Sequence, residues 1–362
     1  MNQMTGIERV GRILKRQKVD RIAVCEAFWT ETIHRWSAEG YLSADESPVT
    51  HFNFDLENFN PFRLMGDYLQ PRKVVSETDE AVLYEDGNGV LQKRLKLTTN
   101  VPQLLSYKVK TRADWEEYLK PLLKPIPDRL NLEGYRQAME QAHAAGRFFF
   151  ASSMNVFELL RALCGHETIL MAMALEPEWI EDMVQVYANL IVSLMEILFA
   201  KAGKPDGVWF YEDMGFKGHT FFSPDMYRDL IKPAHRLTWQ FAHSQGLQVV
   251  CHSCGMVEPL VPDMIDAGMD CLQAMEVKAG MDLVRLYRQF GDRISFIGGM
   301  DTRVLLTNDL HAVDQELEEK IPVVTGRYGY ILHSDHSVPS EVDYATYHHF
   351  VQRGVELGTY KA

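Results

Sequence analysis

Apolar and polar positions alternate with two different periods along this chain, and the change of period divides it. Within residues 5–17, Ile7, Val10, Ile13 and Leu14 fall on one helical face. Residues 21–28 form an almost unbroken apolar run that predicts a buried strand, and helical spacing returns over residues 30–39, with Gly40 as a stop. Residues 52–110 read differently. Short alternating runs at 73–77, 81–84 and 90–98 predict extended chain, and Asp86-Gly-Asn-Gly89 between the last two is a hairpin signal. This region predicts an antiparallel excursion that covers one end of the fold.

From about residue 112 the rhythm becomes strand–helix. Continuous apolar runs at 147–154, 207–213, 247–251, 271–275, 294–297 and 328–333 each precede a stretch of helical spacing, the longest of which spans residues 177–202. Apolar strands alternating with helices predict a parallel sheet covered on both faces. Seven or eight such strands favour a single α/β domain, a (β/α)8 TIM barrel with an N-terminal helical and β-hairpin extension. Residues 1–110 supply the first helix, the first strand and the antiparallel excursion. Residues 111–362 supply the rest of the barrel and its site. The N-terminal aromatic-rich region is expected either to cover the barrel or to form a homodimer interface.

Composition narrows the function. A chain of 362 residues with 46% hydrophobic content supports one large core. A net charge of −13 opposes general nucleic-acid binding, which needs a basic surface. No run of 18 apolar residues occurs, so no membrane span is expected, and the N-terminus lacks an apolar signal core. Five cysteines, an odd and sparse set, do not make a disulfide framework and predict a cytoplasmic protein.

The strand ends carry the candidate chemistry. The run at 247–251 ends in His252-Ser-Cys254-Gly255, and residues i and i+2 of a strand face the same side. Other tips carry Tyr211-Glu212-Asp213, Met275-Glu276, Gly298-Gly299-Met300-Asp301 and His333-Ser334-Asp335-His336. In a barrel these tips converge on one mouth. A thiolate, an imidazole and a carboxylate form a borderline-soft set that suits zinc better than magnesium or calcium. Gly298-Gly299 fits a close backbone approach, with phosphate or cofactor binding as the weaker alternative. Asp301 reads as a helix cap. His333 and Asp335 read as partners that orient ligating histidines, and His166 as structural.

The order Glu212-Asp213, Phe222-Ser-Pro224, Ile231-Lys-Pro233, His252-x-Cys254-Gly, Gly298-Gly-Met-Asp301 and a last strand with a His-containing loop resembles the uroporphyrinogen decarboxylase superfamily. Within it the chain is most similar to the zinc methyltransferases that exchange methyl groups with a corrinoid protein. The resemblance implies zinc held by His252, Cys254 and a second Cys after the last strand. No Cys follows Cys271 here, and His336 falls at that place. It further implies methylcobalamin on a partner protein as donor, a small acceptor such as a thiol, and Glu212 as fourth ligand or proton acceptor. Phe28, Trp29 and Tyr211 would line the cofactor mouth. The alternative is a cofactor-free decarboxylase using His336 with Asp213 or Asp335, or a barrel that only binds a corrinoid or tetrapyrrole. True porphyrin decarboxylases carry a basic N-terminal segment, of which only Arg35 is present here.

Overall fold

The apolar runs become the staves of a barrel. A computed structural model of the chain describes residues 3–43, 46–96 and 102–360. In chain order its strands are β1 (Ala23–Val24), β2 (Leu56–Phe59), β3 (Arg72–Glu77), β4 (Ala81–Asp86), β5 (Leu91–Leu95), β6 (Gln103–Ser106), β7 (Phe148–Met154), β8 (Gly207–Tyr211), β9 (Gln248–Ser253), β10 (Cys271–Ala274), β11 (Ser295–Gly298) and β12 (Tyr330–Leu332). Eight of them form one sheet in the order β1-β12-β11-β10-β9-β8-β7-β2, every pair parallel. With helices around it, this is a (β/α)8 barrel. The seam between β1 and β2 closes through Asp55. Its amide donates to the Val24 carbonyl at 2.9 Å, and its carboxylate accepts the Val24 amide at 2.8 Å.

The expected excursion is a four-stranded antiparallel sheet, β3-β4-β5-β6. It is inserted after β2, so it belongs to a loop on the carboxyl face, where barrel enzymes carry their chemistry. The run expected at 90–98 ends as a strand at Leu95, and residues 97–98 lie outside the described residues. One barrel strand lies inside the region read as excursion. β2 reads Leu-Glu-Asn-Phe, and its polar pair interrupts the apolar pattern where the strand borders the cavity at the barrel mouth, with Glu57 paired to Arg147.

The helix Gly6–Leu14 plugs the amino end of the barrel. Val10, Ile13 and Leu14 join Phe150, Val250 and Ile331 in the interior cluster. The N-terminal aromatics also go inside. Phe28 packs against Trp36, Phe52, Phe54 and Tyr347, with ring centroids 5.0–6.3 Å apart. The helix Pro177–Ala202 is long and apolar enough to cross a membrane by length and composition, and half of its most apolar window is buried inside the fold.

Candidate metal centre

The carboxyl ends of β8 and β9 bring three unlike donors together. His252 lies at the end of β9 and Cys254 just beyond, while Asp213 follows β8, the neighbouring strand. Cys254 Sγ lies 3.3 Å from His252 Nε2, and Asp213 Oδ1 lies 3.4 Å from that nitrogen. All three ligand atoms fall within 4.8 Å of one another, and no other such group occurs among the described residues. Ligand atoms about 2.0–2.3 Å from a tetrahedral zinc lie roughly 3.3–3.6 Å apart. The two His252 separations match that spacing, and a nitrogen, a sulfur and a carboxylate oxygen are the donors zinc accepts. The residues present therefore fit zinc.

The supports are local. Gln273 on β10 is in register with His252, and its Oε1 pairs with His252 Nδ1, leaving Nε2 for the cluster. The Cys254 amide donates to Asp213 Oδ1 at 2.9 Å, and Arg161 reaches Asp213 Oδ2 at 3.3 Å. Two glycines let the loops meet. A Cβ on Gly255, whose φ is +78°, would stand 2.3 Å from the Gly215 carbonyl carbon, and one on Gly215 would stand 2.6 Å from the Cys254 oxygen. Burial works against the charged form of both partners. For Asp213 it is outweighed by the hydrogen bond and charge of His252, the Cys254 amide and Arg161, which hold the carboxyl well below the usual range. For His252 it is outweighed by Asp213 and Cys254, which raise the imidazole well above its ordinary value.

Two expected ligands do not join this group. Glu212 points the other way along the strand alternation. Its buried carboxylate accepts the amides of Phe157 and Glu158, both at 2.9 Å, and pairs with His235 Nε2 at 2.6 Å. It caps the helix Val156–Leu175 from behind the barrel wall. His336 lines the cavity but stacks on Trp29, with centroids 6.1 Å apart. The last loop is pinned so as to present it there. Asp335 accepts the amides of Thr302 and Val277, both at 2.8 Å, and the Ser334 hydroxyl donates to the His336 carbonyl at 2.5 Å. Asp335, expected as a catalytic or orienting residue, is held here as a buried tie between loops. Phe28 is partly buried against the core and is not among the residues lining the cavity. Gly298 and Gly299 serve close approach, where a Cβ on Gly298 would meet the Ala274 oxygen at 2.4 Å. Asp301 caps the helix Thr302–Leu305, and His166 packs on Phe221 beside Arg161.

The cluster opens onto a cavity of about 530 Å³ at the barrel mouth. Tyr211 lines it, its ring 5.2 Å from that of His252. Glu26, just after β1, is a lining residue that the sequence reading passed over. Its buried side chain lies 3.2 Å from His333 Nε2 and accepts the Ser334 amide at 2.9 Å. Burial raises the Glu26 carboxyl above its ordinary value, against the opposing effects of His333 and Ser334.

The model for the uroporphyrinogen decarboxylase (URO-D) family matches residues 111–356. The chain belongs to the uroporphyrinogen decarboxylase family. Among solved structures it is similar to a methyltransferase from Methanosarcina mazei, with a TM-score of 0.65 and 14% identity over 98% of each chain. At that identity the likeness speaks for the fold. A xylanase B from Clostridium stercorarium F9, at a TM-score of 0.35 and 11% identity over 59% of this chain and 75% of that one, is too distant to bear on function. No curated protein matches the chain. Against the family name, no lysine or arginine occurs among the described residues that line the cavity. Arg35 is tied at the surface to Glu39 at 2.7 Å, to the Ser340 carbonyl at 2.6 Å and to Asp343.

Proposed function

We propose that this member of the uroporphyrinogen decarboxylase family is a zinc-dependent methyltransferase that moves a methyl group between a corrinoid on a partner protein and a small acceptor. The convergence of Asp213, His252 and Cys254 carries the reading. These three would hold the metal, with Asp213 in the place expected for Glu212 or His336. Bound there, zinc supplies a Lewis acid that lowers the pKa of a coordinated thiol or water. The chain's own residues do the rest. Gln273 fixes the His252 ring, and Arg161 with the Cys254 amide fixes Asp213. An acceptor sheds its proton as its lone pair forms the new bond to carbon, while the corrinoid keeps the electron pair of the bond that breaks. His333 with Glu26 stands on the same cavity to take up or return that proton. Tyr211 and Trp29 supply aromatic walls to the same cavity.

Decarboxylation of a porphyrin polycarboxylate fits less well. Eight carboxylates need several cationic grips, and the lining offers none. The test is metal analysis followed by methylcobalamin demethylation with a series of small acceptors. We expect one zinc per chain, and loss of both zinc and demethylation in Cys254→Ala and His252→Ala. Demethylation that proceeds unchanged in metal-free protein or in Cys254→Ala would falsify the proposal.

A further inference from the structure

The charges around the cavity discriminate among small molecules. Glu26, Glu57 and Asp335 are among its lining residues, the Asp335 carboxylate being turned into the wall onto the amides of Thr302 and Val277, and no lysine or arginine lines it among the described residues. The arginines that reach these walls from outside are already engaged. Arg147 pairs with Glu57 at 2.6 Å, and Arg161 pairs with Glu158 and Asp213. Of the lining imidazoles, His252 faces Asp213 and His333 faces Glu26, while His336 stacks on Trp29. In the metal-free cavity an anion would lose its water beside Glu26 and meet no lysine or arginine to replace it.

The walls favour the opposite kind of guest. Trp29, Phe54, Trp209 and Tyr211 line the cavity, and aromatic faces attract cations and apolar bodies alike.

We propose that the small molecule this cavity takes carries no carboxylate, phosphate or sulfonate: it is uncharged or cationic and lies against Trp29, Phe54 and Tyr211. The inference rests on the methyl-transfer reading only for the identity of the site. Under it, a thiol acceptor with a sulfonate or carboxylate tail is excluded, and a neutral or amino thiol is admitted.

Three ring probes that differ in one substituent test it: benzylammonium, benzyl alcohol and benzoate, titrated by calorimetry into the full chain with and without zinc. We expect benzoate to bind about tenfold more weakly than either of the others, or worse. Benzoate binding as tightly as benzyl alcohol, or no saturable binding by any of the three, overturns the proposal. The ranking is read on metal-free protein as well, so a failure of zinc binding is seen separately from a failure of charge selection.

Discussion

Glu212 and Asp213 are adjacent carboxylates with opposite duties, and substitution separates them. Glu212 accepts two helix amides and His235 in a dry pocket. Glu212→Gln swaps an acceptor oxygen for an amide facing donors, which should cost about 1–3 kcal/mol of stability and leave zinc affinity close to wild type. Asp213→Asn should lower zinc affinity sharply, and it should also cost some stability, because it removes the charge that His252 and Arg161 hold ionised. Gln273→Leu removes the partner of His252 Nδ1 and should weaken zinc by about 10–100-fold. A zinc titration with a competing chelator beside a thermal melt reads all three, and equal zinc loss in Glu212→Gln and Asp213→Asn would contradict the assignment. The His-x-Cys pair was legible because both residues lie on one short stretch of strand. The third donor was legible in principle. Tyr211 was assigned to the mouth, and the strand alternation that puts Tyr211 inside puts Asp213 on the same side and Glu212 behind. Glu26 and Gln273 were not legible, because a single polar residue at a strand tip carries no pattern of its own.

At the scale of elements, two loops make the site, and two glycines let them touch. Gly255 holds a left-handed φ of +78° against the Gly215 backbone. Gly255→Ala meets both obstacles. The conformation alone costs about 1–2 kcal/mol, and the new methyl group must push the loop carrying Asp213 away from Cys254. The expected result is a lower melting temperature with unchanged far-ultraviolet dichroism and a zinc affinity reduced at least about tenfold. Unchanged zinc affinity would mean that the close approach positions nothing. Elements with long apolar runs, such as β7 and Pro177–Ala202, stood out in the sequence because every side chain along them meets core. β2 did not, since its Glu57 and Asn58 border the cavity in place of the core. The helix Gly6–Leu14 was legible as amphipathic, but its place as the barrel's plug depends on contacts distant in sequence, with Phe148 and Val250.

Over the whole molecule, the barrel is closed by charge at its amino end and by strand pairing elsewhere. Arg9, on the plug helix, pairs with Asp55 and with Asp20 at 2.8 Å, and Arg21 holds Asp55 at 2.8 Å. Arg9 and Asp55 are almost wholly buried. Losing one partner strands the others, which ties the plug, β1 and β2 into one cooperative unit. Asp20 reports on this seam. Burial pushes its carboxyl up, but Arg9 and the amides of Met4 and Arg21 outweigh that and bring it from 3.8 down to about 2. A carboxylate whose pKa is depressed on folding stabilises the fold above its unfolded pKa, and that contribution is lost as pH falls through the folded value. The Asp20 contribution, about 2 kcal/mol, should therefore be complete above about pH 5 and mostly lost by about pH 2. Urea unfolding of wild type and Asp20→Asn at a series of pH values measures it as the difference between the two curves. That difference should be constant from neutral pH down to about 5 and then close as acid is added. A difference that persists unchanged to pH 2 would mean that Asp20 acts through shape and not through its charge, and the seam would then have to be held by Asp55 with Arg9 and Arg21 alone.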